Sequence, residues 1–207
     1  MSLEAGNNAV LSKGELTRRL KEDLVISPLL EPLRQIGDGS VDITLGTRFI
    51  VSKRSEVSGI DPKMLDLTLI RKFQESVVVP FGRELILHPR NFVLGCTFEF
   101  VAMPPNLCGF VLSRSSYGRA GLLIATATYV HPCWQGCLTL ELENLGEIPI
   151  VLRPGSTIGQ LVVMNSTPLA ERPPLKAIPV GPVFSSLSDD PRWTKLEALN
   201  IPAQKVP

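Results

Sequence analysis

The sequence has little of what marks proteins that act through bulk charge, disulfides or a membrane. Its 207 residues carry a net charge of +1, so no excess of one sign draws it to nucleic acid or to a membrane surface. No apolar run is long enough to span a bilayer, and the N-terminus lacks the basic and apolar regions of a secretory signal. The four cysteines lack the density of a disulfide scaffold. We therefore expect a reduced, cytoplasmic protein.

The chain has only two histidines, so few metal ligands of this type are available. One stretch nevertheless suggests a metal site. The segment "HPCWQGC" holds His131, Cys133 and Cys137, whereas zinc nucleobase deaminases combine H-x-E with P-C-x-x-C. No glutamate stands two residues after either histidine. In an extended chain the two sulfurs would lie about 13 Å apart, too far to share a zinc ion with bonds of about 2.3 Å. A tight turn at Gln135-Gly136 would bring them closer, but a full ligand set would still be missing, so we expect no zinc.

One helix is predicted near the N-terminus, over about residues 12–24. In "LSKGELTRRLKEDL", Ser12 is a candidate N-cap and Glu15 stands three residues later, as in a capping box. Leu11 and Leu16 are spaced for the hydrophobic staple that accompanies such a start.

The hydrophobic period then changes from helical to two, which predicts many short strands rather than alternating strands and helices. Such a pattern is typical of a β-sandwich, jelly roll or barrel. Residues 53–75 interrupt it and read as a long connection with room for one helical turn. The strand-like segments are "SVDITLGTRFIV", "ELILHP", "NFVLGCTFEFVAMP", "CGFVLSRSS", "LLIATATYV", "CLTLELEN", "IPIVLRPG" and "TIGQLVVMN".

We expect one β domain over residues 1–164 and a proline-rich tail over 165–207. The tail has little periodicity and cannot build a core of its own, although proline lowers the entropy cost of laying it across another surface. Its segment "DDPRWTKLEALN" predicts a short final helix with Asp190 as cap.

Two segments carry candidate chemistry. In "GCLTLELEN", Leu138, Leu140 and Leu142 alternate with Thr139, Glu141 and Glu143, so the polar face is either solvated or presents a glutamate to a pocket as a general base. In "SRSSYGR", Arg114, Arg119 and the serines either close a strand with a polar turn, in which Gly118 takes a positive φ, or bind a phosphate chain. The residues alone leave both pairs of alternatives open.

The order of these segments resembles the dCTP deaminase family, the metal-independent relatives of trimeric dUTPases. The resemblance runs from about Gly39 to Val163 through "GSVDITLGTRF", "LHPRNFVLGCTFEFVAMPPNLCGFVLSRSSYGRAGLL", "WQGCLTLELEN" and "LRPGSTIGQLVV". It implies a mainly β, dUTPase-like distorted barrel or jelly roll that forms homotrimers with sites between subunits. It also implies hydrolytic deamination of dCTP to dUTP and ammonia, in pyrimidine deoxynucleotide metabolism, with Mg²⁺ accompanying the triphosphate.

The resemblance also implies roles for matching residues. Glu141 matches the catalytic general base, and Asp42 matches an acidic position that supports the site. Glu143 receives no role. Positions that match substrate-binding residues are Arg114, Ser115, Ser116, Arg119, Thr126, Ala127, His131 and Gln160.

Three departures from the family pattern keep other functions open. His131 stands where the family has an aspartate near the sugar, and Cys133 stands where it has a glycine. The tail lacks the family's tyrosine and Q-x-G element, although "GPVFSS" is a candidate for a divergent active-site lid. The alternatives are a dUTPase or a bifunctional enzyme that carries dCTP to dUMP, and a catalytically weak nucleotide-binding or regulatory protein.

Overall fold

A computed structural model describes residues 9–53, 55–56, 58–59, 72–124 and 129–167. Thr126, Ala127, most of the predicted connection and the predicted final helix and lid of the tail lie outside the described residues. The chain divides into two compact units, residues 1–51 with 76–183 and residues 52–75 with 184–207. The described candidate site residues all lie in the first unit. No helix in the described part of the chain is long and apolar enough to cross a membrane.

The predicted N-terminal helix is present as α1 (Lys13–Glu22). Ser12 is its N-cap, and the Ser12 hydroxyl accepts the backbone N–H of Glu15 at 3.4 Å. The Glu15 carboxylate accepts from Arg18 Nε at 3.1 Å, so its side chain is engaged within the helix. Leu11 and Leu16 are both buried, as the hydrophobic staple requires.

Each predicted strand segment contains a strand. Two strands and two short helices, α2 (Pro32–Gln35) and α3 (Ser115–Arg119), were not predicted. Within the described residues the strands are β1 (Val25–Ser27), β2 (Ser40–Thr44), β3 (Arg48–Ser52), β4 (Gln74–Val78), β5 (Leu85–Leu87), β6 (Phe92–Ala102), β7 (Leu107–Ser113), β8 (Leu122–Ile124), β9 (Tyr129–Val130), β10 (Gln135–Asn144), β11 (Ile150–Leu152) and β12 (Thr157–Asn165). The unpredicted strands are β1 and β4.

The strands form two main sheets and one small ribbon. One sheet has the order β4-β3-β6-β10-β8, with β1 also paired to β6. The second sheet has the order β2-β12-β7-β9, and β5 pairs with β11 in the ribbon. Leu138, Leu140 and Leu142 of β10 are all buried in the hydrophobic core, as their alternation predicts.

Candidate functional site

Three neighbouring strands of the four-stranded sheet assemble the first part of the site. Gln160 of β12 lies opposite Asp42 of β2 on one side and Leu112 of β7 on the other. Paired residues of antiparallel strands project from the same face, so Asp42 and Gln160 are side by side. The Ser40 hydroxyl donates to Gln160 Oε1 at 3.3 Å, which fixes the orientation of that amide.

Arg114 directly follows β7 and reaches back to this row. Its Nη1 donates to Asp42 Oδ2 at 2.6 Å, with the two side chains 42% and 24% exposed. An ion pair this exposed contributes little to stability because water competes for both groups. The ion pair instead orients the Arg114 guanidinium toward Asp42.

The rest of "SRSSYGR" forms α3 (Ser115–Arg119), a single helical turn. Ser115, Ser116 and Arg119 are exposed on it. The Tyr117 hydroxyl donates to Ser156 Oγ at 3.3 Å and so holds the turn against the loop before β12. The polar-turn interpretation was wrong about Gly118, which lies inside the helix. The positive φ belongs to Gly121, at +91°, because a left-handed residue just past the last turn ends the helix.

A pocket of about 400 Å³ opens beside Arg114. One wall comes from α2, which the sequence analysis missed, although proline at the first position of a short helix was a usable signal. The pocket carries two arginines and two carboxylates on its walls. Its lining residues are Leu30, Glu31, Arg34, Gln35, Asp42, Thr44, Arg114, Gly155 and Thr157.

Glu141 lies on β10 in the other main sheet. It is opposite Leu94 of β6, which is in turn opposite Ile50 of β3. Leu94 is buried and Glu141 is half-buried, so this face of the sheet is not fully solvated. Burial raises the pKa of the Glu141 carboxyl. A carboxylate with a raised pKa is a stronger proton acceptor than an exposed one.

His131 begins a tight turn rather than an extended segment. The Trp134 N–H donates to the His131 carbonyl at 3.1 Å, and Cys133 has a φ of +63°. The His131 and Tyr129 rings pack in a T-shaped arrangement with their centroids 4.5 Å apart, and the centroids of the Tyr129 and Phe110 rings are 5.3 Å apart. His131 is exposed at the end of this row of rings.

All four cysteines have free thiols. In the parts of the chain that are described, no three His, Cys, Asp or Glu side chains are grouped so that they could hold a metal ion.

The fold of this chain is similar to that of a solved deaminase structure. The 2'-deoxycytidine 5'-triphosphate deaminase from Agrobacterium tumefaciens superposes with a TM-score of 0.59 at 20% identity. The match covers 77% of this chain and 49% of that chain, so this protein spans about half of the solved one. The mainly β, dUTPase-like fold expected from the sequence is thereby confirmed.

Sequence comparison gives the family. A model described as "dCTP deaminase-like" matches residues 10–166. A dCTP deaminase of Natronomonas pharaonis is 42% identical over 166 residues, covering 79% of this chain and 84% of the relative. A "dCTP deaminase, dUMP-forming" of Halobacterium salinarum is 41% identical over 166 residues, with the same coverage of both chains. The chain belongs to the dCTP deaminase family.

Proposed function

We propose that this protein deaminates dCTP to dUTP and ammonia, with Glu141 as the general base. The observation that carries the proposal is that the Glu141 carboxyl is half-buried, and that this burial raises its pKa. The buried leucines on either side of it in β10 place the Glu141 side chain on the opposite face of the strand. Membership of the dCTP deaminase family supports the substrate.

The proposed reaction consumes one water and releases one ammonia. Glu141 accepts a proton from water as the water oxygen adds to C4 of cytosine. The same carboxyl then passes that proton to the amino group, which leaves as ammonia as the C4–N bond breaks. The remaining proton of the added water moves from the C4 hydroxyl to N3, and the C4 carbonyl of uracil forms. A base of this kind needs a raised pKa and one fixed orientation, and burial beside apolar residues raises the pKa of Glu141 while its strand position limits its orientation.

We place the binding site for the triphosphate at the four-stranded sheet and the helix α3 that follows its strand β7. Arg114 and Arg119 offer planar guanidinium donors, which suit phosphate oxygens, and Ser115, Ser116 and Gln160 add shorter donors. Mg²⁺ enters with the triphosphate, whose oxygens are the ligands it prefers. The Asp42 carboxylate is already engaged by Arg114, which fits a metal carried by the substrate rather than by a protein cage.

Exposed apolar side chains on the strands around Glu141, Asp42 and Gln160 support a homotrimer with sites between subunits. Glu141 lies in the six-stranded sheet, whereas Asp42 and Gln160 lie in the four-stranded sheet. Apolar side chains are exposed on strands that carry or flank these residues, as a surface covered by a second copy would show. Examples are Phe92, Leu112 and Leu123.

Two further functions have specific support. Relatives named dUMP-forming favour an enzyme that continues from dCTP to dUMP. The exposed His131 and the left-handed Cys133, at positions where the family pattern has aspartate and glycine, favour a nucleotide-binding protein with weak or no catalysis.

Product analysis separates the three functions. The full chain is incubated with dCTP and Mg²⁺, and dUTP, dUMP, ammonia and pyrophosphate are quantified by chromatography and enzymatic assay. Ammonia with dUTP alone supports the deaminase, and ammonia with dUMP and pyrophosphate supports the bifunctional enzyme. Bound but unchanged dCTP refutes catalysis and supports the binding protein.

A further inference from the structure

Glu99 of β6 is a buried carboxyl with no part in the proposed reaction. Its side chain is 0% exposed. It accepts the Thr44 backbone N–H at 2.9 and 3.2 Å and the Thr44 hydroxyl at 2.8 Å. Thr44 ends β2 of the four-stranded sheet, whereas Glu99 belongs to the six-stranded sheet. The carboxylate therefore joins the two sheets directly.

Gln35 extends this network to the pocket wall. Its Nε2 donates to Glu99 Oε1 and to the Asp42 carbonyl, both at 3.2 Å. Its Oε1 accepts the Glu31 backbone N–H at 2.9 Å, which ties the start of α2 to the same point. Gln35, Thr44 and Asp42 all line the pocket that Arg114 borders. Glu99 thus lies directly behind the pocket residues and contacts two of them.

The chemistry of the network requires a carboxylate. The two carboxylate oxygens accept both donors of Thr44 and a donation from Gln35 Nε2, whereas an amide in that place would turn an N–H toward one of these donors. Burying a carboxylate is costly. Burial raises the pKa of Glu99, although the hydrogen bonds from Thr44 and Gln35 act in the opposite direction. A sheet-to-sheet contact alone is satisfied at lower cost by apolar side chains.

We propose that Glu99 is a positioning residue for the nucleotide: through Thr44 and Gln35 it fixes the segment that carries Asp42, and Asp42 aims Arg114. This inference rests on the proposed function for the identity of the nucleotide. Because Glu99 is fully buried behind the pocket wall, we expect its effect to fall on binding rather than on the chemical step.

The first test separates binding from chemistry. We expect Glu99→Gln to weaken dCTP·Mg²⁺ binding about tenfold, as loss of a supporting hydrogen bond typically does, with kcat changed far less. Thr44→Val, which removes only the hydroxyl donation, is the milder second variant if Glu99→Gln folds poorly. Leu152→Ala, at a fully buried core position that does not line the pocket, controls for loss of stability and leaves the dissociation constant unchanged. Equal affinity in wild type, Glu99→Gln and Thr44→Val overturns the proposal.

A double-mutant cycle tests the route through Asp42. If Glu99 acts by placing Asp42, Glu99→Gln has little further effect on affinity once Asp42→Asn is present. Additive losses overturn the route and leave a general structural role.

The guanidinium of Arg114 gives a readout that needs no nucleotide. Its Nε–H NMR resonance, assigned with Arg114→Lys, reports the ion pair with Asp42. We expect this resonance to shift in Glu99→Gln and Thr44→Val and to stay in place in Leu152→Ala. An unshifted resonance overturns the proposal even if dCTP is not the substrate. Failure of wild type to bind dCTP refutes only the proposed function.

Discussion

Two tight turns each hold a non-glycine residue in the left-handed region of backbone φ, which favours glycine. His88–Asn91 and His131–Trp134 both begin with His-Pro, and in both the fourth N–H donates to the first carbonyl at 3.1 Å. The third residues, Arg90 and Cys133, have φ of +61° and +63°. A non-glycine residue in this region costs about 1–2 kcal/mol.

We therefore predict that Cys133→Gly stabilises the protein. Relief of the left-handed strain is partly offset by the extra freedom of glycine in the unfolded chain, about 0.5–1 kcal/mol. The net gain is about 0.5–1 kcal/mol, which for a chain of this length raises the melting temperature by about 1–4 °C. Scanning calorimetry at several protein concentrations measures the shift while controlling for assembly.

Two controls separate backbone strain from other effects of the substitution. Arg90→Gly relieves the same strain in a turn that carries no candidate site residue, so it also raises the melting temperature. Cys133→Ser removes the thiol but keeps a Cβ, so it does not. A melting temperature of Cys133→Gly equal to or below that of wild type, or a gain reproduced by Cys133→Ser, refutes the reasoning.

Three further predictions concern the charge, core and assembly of the site. Because burial raises the folded-state pKa of Glu141, its ionised form destabilises the fold, so Glu141→Gln is more stable than wild type above that pKa. This stability advantage of Glu141→Gln disappears below the pKa of the carboxyl in the unfolded chain, about 4.3. Melting temperatures of both proteins measured from pH 4 to 8 test the prediction, and the same pH dependence in both would contradict it. Leu140→Ala, at a fully buried position, lowers the free energy of unfolding by about 2–5 kcal/mol in urea titrations, and a loss under about 1 kcal/mol contradicts the assigned packing. We expect Arg119→Ala to weaken dCTP binding, measured by calorimetry, and the proposed trimer, measured by sedimentation; unchanged affinity and assembly contradict the roles proposed for Arg119.

The strands were predictable because their signal is local. Alternation in "CLTLELEN" indicates β10 and the direction of Glu141 without knowledge of any partner strand. Only two residues separate β1 from the end of α1, and α2 has four residues, about one turn, so neither element shows a hydrophobic period of its own. The pairing order of the strands depends on contacts between distant residues, which no local pattern records.

The same distinction between local patterns and distant contacts applies to the residues of the site. Arg114, Glu141 and Gln160 stand in motifs that resemble the family, so their positions could be proposed from the sequence. Glu99 could not, because within "FEF" it reads as an ordinary outward residue of an alternating strand. Its burial depends on Thr44, 55 residues away in the chain and in the other main sheet.

The central claim is that Glu141 is the base of a deamination, and ammonia release tests it most directly. Wild type, Glu141→Gln and Glu143→Gln are compared with dCTP and Mg²⁺. Glu143 is the matched control because it lies two residues along the same strand and face. The account predicts that wild type and Glu143→Gln release ammonia and that Glu141→Gln binds dCTP but releases none. Ammonia release by Glu141→Gln at the wild-type rate, or none from wild type that binds dCTP, would contradict it.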